Sequence, residues 1–155
     1  MTTTAPTTPA PTALSPLIER LVARHGATWV DAGNAEAFAA APGDRVLFFS
    51  GDPVRFPEGL DVAVVLPELQ RALAGRFAVG VVRRDDEDAL ARRWGSQRWP
   101  ALVFLREGRY VTTVAGMHDW DDYLRRVRDA LAMPATRAPT VGIAVVAADA
   151  PAACR

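Results

Sequence analysis

Arg92-Arg93-Trp94-Gly95-Ser96-Gln97-Arg98-Trp99-Pro100-Ala101-Leu102-Val103-Phe104-Leu105-Arg106-Glu107-Gly108-Arg109-Tyr110 is the stretch whose reading decides the fold. A helix beginning near Glu87 closes at Trp94, and Trp99-Pro100 leads into the apolar strand Ala101 to Leu105. Glu107-Gly108 is a two-residue hairpin signal, so Arg109 to Val114 returns antiparallel to that strand. Ala115-Gly116 then precedes a last helix, capped by Asp119 with Asp122 three residues on in a box-like arrangement. Trp120, Tyr123, Leu124, Val127 and Leu131 form the apolar face of that helix.

Upstream, Arg45-Val46-Leu47-Phe48-Phe49-Ser50 is a nearly continuous apolar run whose length suits a central strand buried on both faces. A loop with Pro53 and Pro57 follows. Leu60 to Leu73 reads as a helix with Val64, Val65, Leu69 and Leu73 as core candidates, and Pro67 inside it removes one backbone donor. Phe77 to Val82 is a second buried strand. Near the N-terminus, Ser15 caps a helix with Pro16 at its first position, Gly26 stops it, and Thr28-Trp29-Val30 is a short strand. Asn34 caps a further short helix carrying Ala35, Phe38 and Ala39. The order is helix, then β-α-β-α-β-α-β-β-α. It implies an α/β domain with a central mixed sheet, helices on both faces and an antiparallel hairpin at one edge.

Composition removes several functions. The chain has 155 residues and a formal net charge of zero, without the basic excess of a general nucleic-acid binder. All 18 basic residues are arginine. Cys154 is the one cysteine, so neither an internal disulfide nor a cysteine-based zinc site is available. His25 and His118 are isolated, which implies no metal, and no cofactor is implied. No apolar run approaches the roughly 18 residues of a membrane span, and the N-terminus lacks the basic and apolar regions of a secretory signal, so the expectation is cytoplasmic. Residues 1–13 are a Thr/Pro-rich leader read as disordered, 14–133 are the folded domain, and 134–155 are a Pro/Ala-rich tail read as partly or wholly disordered.

Trp94-Gly95, Trp99-Pro100, the strand after it, Gly108 and Val114-Ala115-Gly116 together resemble a thioredoxin, over residues 28–132. The resemblance implies a cis peptide bond before Pro100, which leaves backbone groups of the preceding residue free to pair with an extended client; an ordinary trans bond opening a strand is the plainer reading. Pro67 lies five residues beyond Val62, the spacing that this family has between its second active cysteine and a helix proline. Gly59 and Val62 therefore stand where the Cys-x-x-Cys thiols would be, and Phe48 stands in or next to the position of the buried acid that serves them. Dithiol chemistry is not available to this chain.

A closer resemblance is to the HyaE/HupG family of hydrogenase-expression proteins. It is carried by Ser15-Pro16-Leu17-Ile18-Glu19-Arg20-Leu21 with His25-Gly26, by Phe48-Phe49-Ser50-Gly51-Asp52-Pro53, by Glu58 to Val62, by Leu66-Pro67-Glu68-Leu69, and by Trp99-Pro100 onward. It implies a thioredoxin-like domain with an extra N-terminal helix. It also implies a non-enzymatic cytoplasmic chaperone that binds the twin-arginine signal peptide or precursor of a NiFe uptake hydrogenase small subunit, with room for a second maturation factor as partner. Two other readings stay open: a thioredoxin-like interaction module in another assembly, and a monothiol redox protein using Cys154.

The client-facing loops of such a fold supply Phe56, Glu58, Leu60, Asp61 and Val62, then Trp99 and Pro100, then Met117 with Gly116 and His118. An apolar floor with carboxylates beside it suits a peptide bearing two guanidinium groups next to an apolar stretch. Each residue also has a plainer reading. Glu58 and Asp61 complement a helix N-terminus, Trp99 packs, and the acidic runs Asp85 to Asp88 and Asp119 to Asp122 charge the starts of helices.

Overall fold

A computed structural model describes residues 15–140; the Thr/Pro leader, the apolar stretch Val141 to Val146 and Cys154 lie outside the described residues. The strands are β1 (Thr28–Val30), β2 (Asp44–Phe49), β3 (Phe77–Val82), β4 (Ala101–Arg106) and β5 (Arg109–Ala115). The helices are α1 (Pro16–His25), α2 (Ala35–Ala40), α3 (Glu58–Ala72), α4 (Glu87–Trp94) and α5 (Trp120–Ala132), with a 3₁₀ turn at Arg84–Asp86. The sheet order is β1-β3-β2-β4-β5; β1, β3 and β2 run parallel, and β4 and β5 antiparallel to their neighbours. This is the expected thioredoxin-like mixed sheet, with α1 added before β1.

The central strand β2 shows why the sheet must be covered twice. Val46 and Phe48 face one apolar cluster, with residues of α1, α3 and α5, while Leu47 and Phe49 face the other, with residues of α2 and α4. All four are fully buried, as strict alternation in a central strand requires. At roughly 25 cal/mol per Å² of apolar surface removed from water, such a two-sided core dominates the favourable side of folding. Glu107 and Gly108 close the β4–β5 hairpin, both with positive φ, as a two-residue turn demands.

Several local expectations give way. α3 begins at Glu58 rather than Leu60 and runs through Pro67, burying Val62, Ala63, Leu66 and Leu69, while Val64 faces solvent at 54% exposure. Trp120 leaves the apolar face of α5 and is 43% exposed, because Tyr123, Val127, Ala130 and Leu131 already fill that face. Asp119 makes no side-chain cap. Asp122 forms no capping box either; it pairs with Arg125 and Arg126, the latter at 2.9 Å. Asn34 sits at the start of α2 without capping it, and its amide instead bridges Asp31 N and the Trp29 carbonyl.

The described part of the tail, residues 134–140, packs onto the domain. Ala135 packs on the α1/α3/α5 side of the sheet, Thr136 N donates to the Tyr110 carbonyl at 2.6 Å on the outer strand β5, and Ala138 packs on the α2/α4 side. Residues 134–140 therefore wrap the β5 edge from one face to the other. Arg106 fastens the start of this strap, donating to the Leu131 and Met133 carbonyls at 3.0 and 2.6 Å.

Candidate functional site

Three loops meet at one end of the sheet. The first, between β2 and α3, is shaped by Asp52, whose carboxylate accepts from Val54 N and Arg55 N at 2.7 and 3.2 Å; these backbone donors hold its pKa below the usual aspartate range. The Asp52 carbonyl accepts from Phe56 N at 2.7 Å, which turns the Phe56 ring back over the loop. The second loop carries Trp99 and Pro100, joined by a cis peptide bond as the resemblance implied. The third, between β5 and α5, is tied to the second by Gly116 N donating to the Pro100 carbonyl at 2.8 Å.

Phe56 and Trp99 stack, with ring centroids 6.0 Å apart and planes 28° from parallel. Gly51 lies beneath them with φ of 76°, and a Cβ there would meet both rings at 2.8–3.0 Å. Only glycine supplies that backbone conformation and that closeness together.

The anchor of the arrangement is a residue that the sequence groups with the acidic run Asp85 to Asp88 at a helix start. Glu87, in the first turn of α4, is 1% exposed. Its Oε2 accepts from Trp99 Nε1 at 2.7 Å and from Gly51 N at 3.0 Å, and its Oε1 accepts from Arg84 Nη1 at 3.2 Å. Burial raises its pKa, opposed by the Arg84 charge and by the hydrogen bonds it receives. One carboxylate thus joins the first loop, the second loop and the 3₁₀ turn. The signal was present in the spacing: Glu87 stands three, four and seven residues before Leu90, Ala91 and Trp94, on the buried stripe of its helix.

The expected contact residues divide into two groups. Phe56, Leu60 and Trp99 are half-buried, Glu58 and Asp61 are exposed on the first turn of α3, and Met117 is 36% exposed on the third loop. Val62 does not reach the surface; at 1% exposure it lies in the core cluster that also holds Phe48, and Pro100 is likewise buried. These two support the surface from beneath. Glu58 and Asp61 form no ion pair among the described residues, whose salt bridges lie elsewhere. The Trp99 backbone N–H and C=O have no backbone partner among the described residues.

Residues 17–123 match the model of the family described as Hydrogenase-1 expression protein HyaE. The chain belongs to the HyaE family. A hydrogenase expression/formation protein HoxO of Cupriavidus necator is 56% identical over 150 residues, covering 94% of this chain and 93% of the relative. A hydrogenase expression/formation protein HupG of Bradyrhizobium diazoefficiens is 39% identical over 127 residues, covering 79% and 86%. A crystal structure of a hydrogenase expression/formation protein hupG from Rhodopseudomonas palustris aligns at 40% identity with a TM-score of 0.49, over 68% of this chain and 95% of that one. No helix among the described residues is long and apolar enough to cross a membrane.

Proposed function

We propose that this HyaE-family protein is a non-enzymatic chaperone in maturation of a NiFe uptake hydrogenase. It binds the twin-arginine signal peptide or precursor of the small subunit in the cytoplasm, before export. The HoxO and HupG relatives are named for hydrogenase expression and formation, which gives the process. The observation that carries the reading is the Phe56–Trp99 stack with the unpaired carboxylates Glu58 and Asp61 on the neighbouring α3 turn. Aromatic faces and Leu60 suit the apolar stretch of such a peptide, carboxylates suit its guanidinium pair, and the free Trp99 backbone suits an extended chain. Gly59 and Val62 in place of thiols leave this surface with binding as its work.

The test is titration of the twin-arginine peptide and of the whole precursor against the protein. Leu60→Glu and Asp61→Arg are each expected to weaken binding by about tenfold or more, the loss of one well-placed contact. Binding that ignores replacement of both peptide arginines, together with no binding of the precursor, removes the proposal. A crosslinker at position 60 is expected to capture the precursor.

A further inference from the structure

We infer that the α4 side of Trp99 is a second docking groove, of opposite charge, which takes an extended acidic peptide segment. Three depressions of about 160, 250 and 320 Å³ run together there. The first and second share Asp88 and Trp99, and the second and third share Ser96 and Gln97. The groove thus starts at the Phe56–Trp99 stack, follows α4, and ends against Tyr110, Thr113 and Ala115 of β5.

Its charge is the reverse of the α3 side. Arg55, Arg84, Arg92 and Arg98 line it against Asp52 and Asp88. Arg84 is engaged with Glu87 and, at 4.0 Å, with Asp52, whereas Arg55, Arg92 and Arg98 form no ion pair among the described residues. Asp88 is equally unpaired, so the uncompensated balance is cationic. Glu58 and Asp61 in the first turn of α3, beyond Phe56 in the chain, line none of these depressions and form no ion pair among the described residues.

Two further observations point to an occupant. Ser96 is 5% exposed, its hydroxyl has no partner among the described residues, and it lines both the second and third depressions. Arg84 Nε, at the first depression, is also buried without a partner. Buried polar atoms are rarely left unsatisfied, and the backbone of a bound peptide offers both donors and acceptors. The far end of the groove lies between β5 and Pro139 of the strap. The groove shares Phe56 and Trp99 with the proposed signal-peptide surface but runs along α4 and takes a ligand of opposite charge, and the inference does not rest on that proposal.

The experiment is fluorescence anisotropy of the full chain with a short labelled peptide carrying glutamates at alternate positions, and with its all-glutamine counterpart. The glutamate peptide is expected to bind about tenfold more tightly, with the preference fading as salt rises. The double variant Arg92→Gln, Arg98→Gln changes exposed side chains only and is expected to abolish the preference with at most a small loss of thermal stability, since Arg92 stands in the last turn of α4. Equal affinity for the two peptides, no binding of the glutamate peptide, or an unchanged preference in the double variant would each overturn the inference. Failure of the twin-arginine peptide to bind would bear on the α3 side alone.

Discussion

The indole N–H of Trp99 donates to the buried carboxylate of Glu87 at 2.7 Å, across twelve residues of sequence. The same oxygen takes Gly51 N, so the cis-proline loop and the loop before α3 are held by one side chain on α4. This fixes the Trp99 ring against Phe56 and gives the end of the sheet a set surface. Pre-organisation of that kind lowers what a ligand must spend on ordering side chains.

Glu87→Ala should be among the most damaging single changes in the domain. It leaves the Trp99 and Gly51 donors unpaired and Arg84 without its closest counter-ion, a loss of about 3 kcal/mol. Glu87→Gln keeps an acceptor for the two donors and should cost about 1 kcal/mol. Urea unfolding distinguishes them; equal losses for the two variants would show that the carboxylate charge facing Arg84, absent from both, sets the cost rather than the hydrogen bonds to Trp99 and Gly51.

Glu87 also sets a pH dependence. Its pKa is raised above the ordinary value of 4.5, chiefly by burial, so the folded state holds the proton more tightly than the unfolded state. Its contribution to stability is full below pH 4.5 and is lost as pH rises through the raised folded value. Asp52, held low by backbone donors, and Asp122, held low chiefly by its Arg126 hydrogen bond, act oppositely, with losses confined to pH below 3.8. The Trp99 indole proton resonance should therefore titrate above pH 4.5, and Glu87→Gln should remove that step. A flat Trp99 resonance in the native chain would refute the assignment.

The parts of the fold that were legible are those in which one residue type has one structural use. The Val46-Leu47-Phe48-Phe49 run could only be a strand covered on both sides, and Glu107-Gly108 could only be a tight hairpin turn. Glu87 was hidden because it stands inside Asp85-Asp86-Glu87-Asp88, where composition suggests a solvated helix start, while its spacing to Leu90 and Trp94 says otherwise. Trp120 misled in the opposite direction, since its size suggests burial although the α5 face is already full. The groove along α4 was not legible, because it depends on the loop at Ser96 meeting the outer strand β5.

The strap that wraps the β5 edge should carry measurable stability. Ending the chain after Met133 removes the Ala135 and Ala138 packing and the Thr136–Tyr110 hydrogen bond, and uncovers the edge of the sheet. A loss of about 2 kcal/mol is expected from the buried methyls and the hydrogen bond together. A chain ending after Thr140 keeps these contacts and is the control. Identical denaturation midpoints for the two truncations would show that the strap is passive.

Restoring the missing thiols should fail, for a reason local to Gly59. Its φ is not in the positive region, so the glycine is not required for backbone conformation. It is required for space: a Cβ there would overlap the backbone carbonyl oxygen of Ser50, at the end of β2. A backbone group cannot swing aside as a side-chain tip can. Gly59→Ala gains up to roughly 1 kcal/mol of helix propensity. Overpacking costs typically about 1–3 kcal/mol, so the net change should be destabilising. Gly59→Cys should be worse than Gly59→Ala, whereas Val62→Cys replaces one buried apolar group by another of similar size and should cost less than about 1.5 kcal/mol. The order of stabilities in guanidinium unfolding, with Val62→Cys above Gly59→Ala above Gly59→Cys, is the check. A Gly59→Ala protein as stable as the parent would mean that α3 can shift away from Ser50, and that the thiol positions are closed by sequence alone.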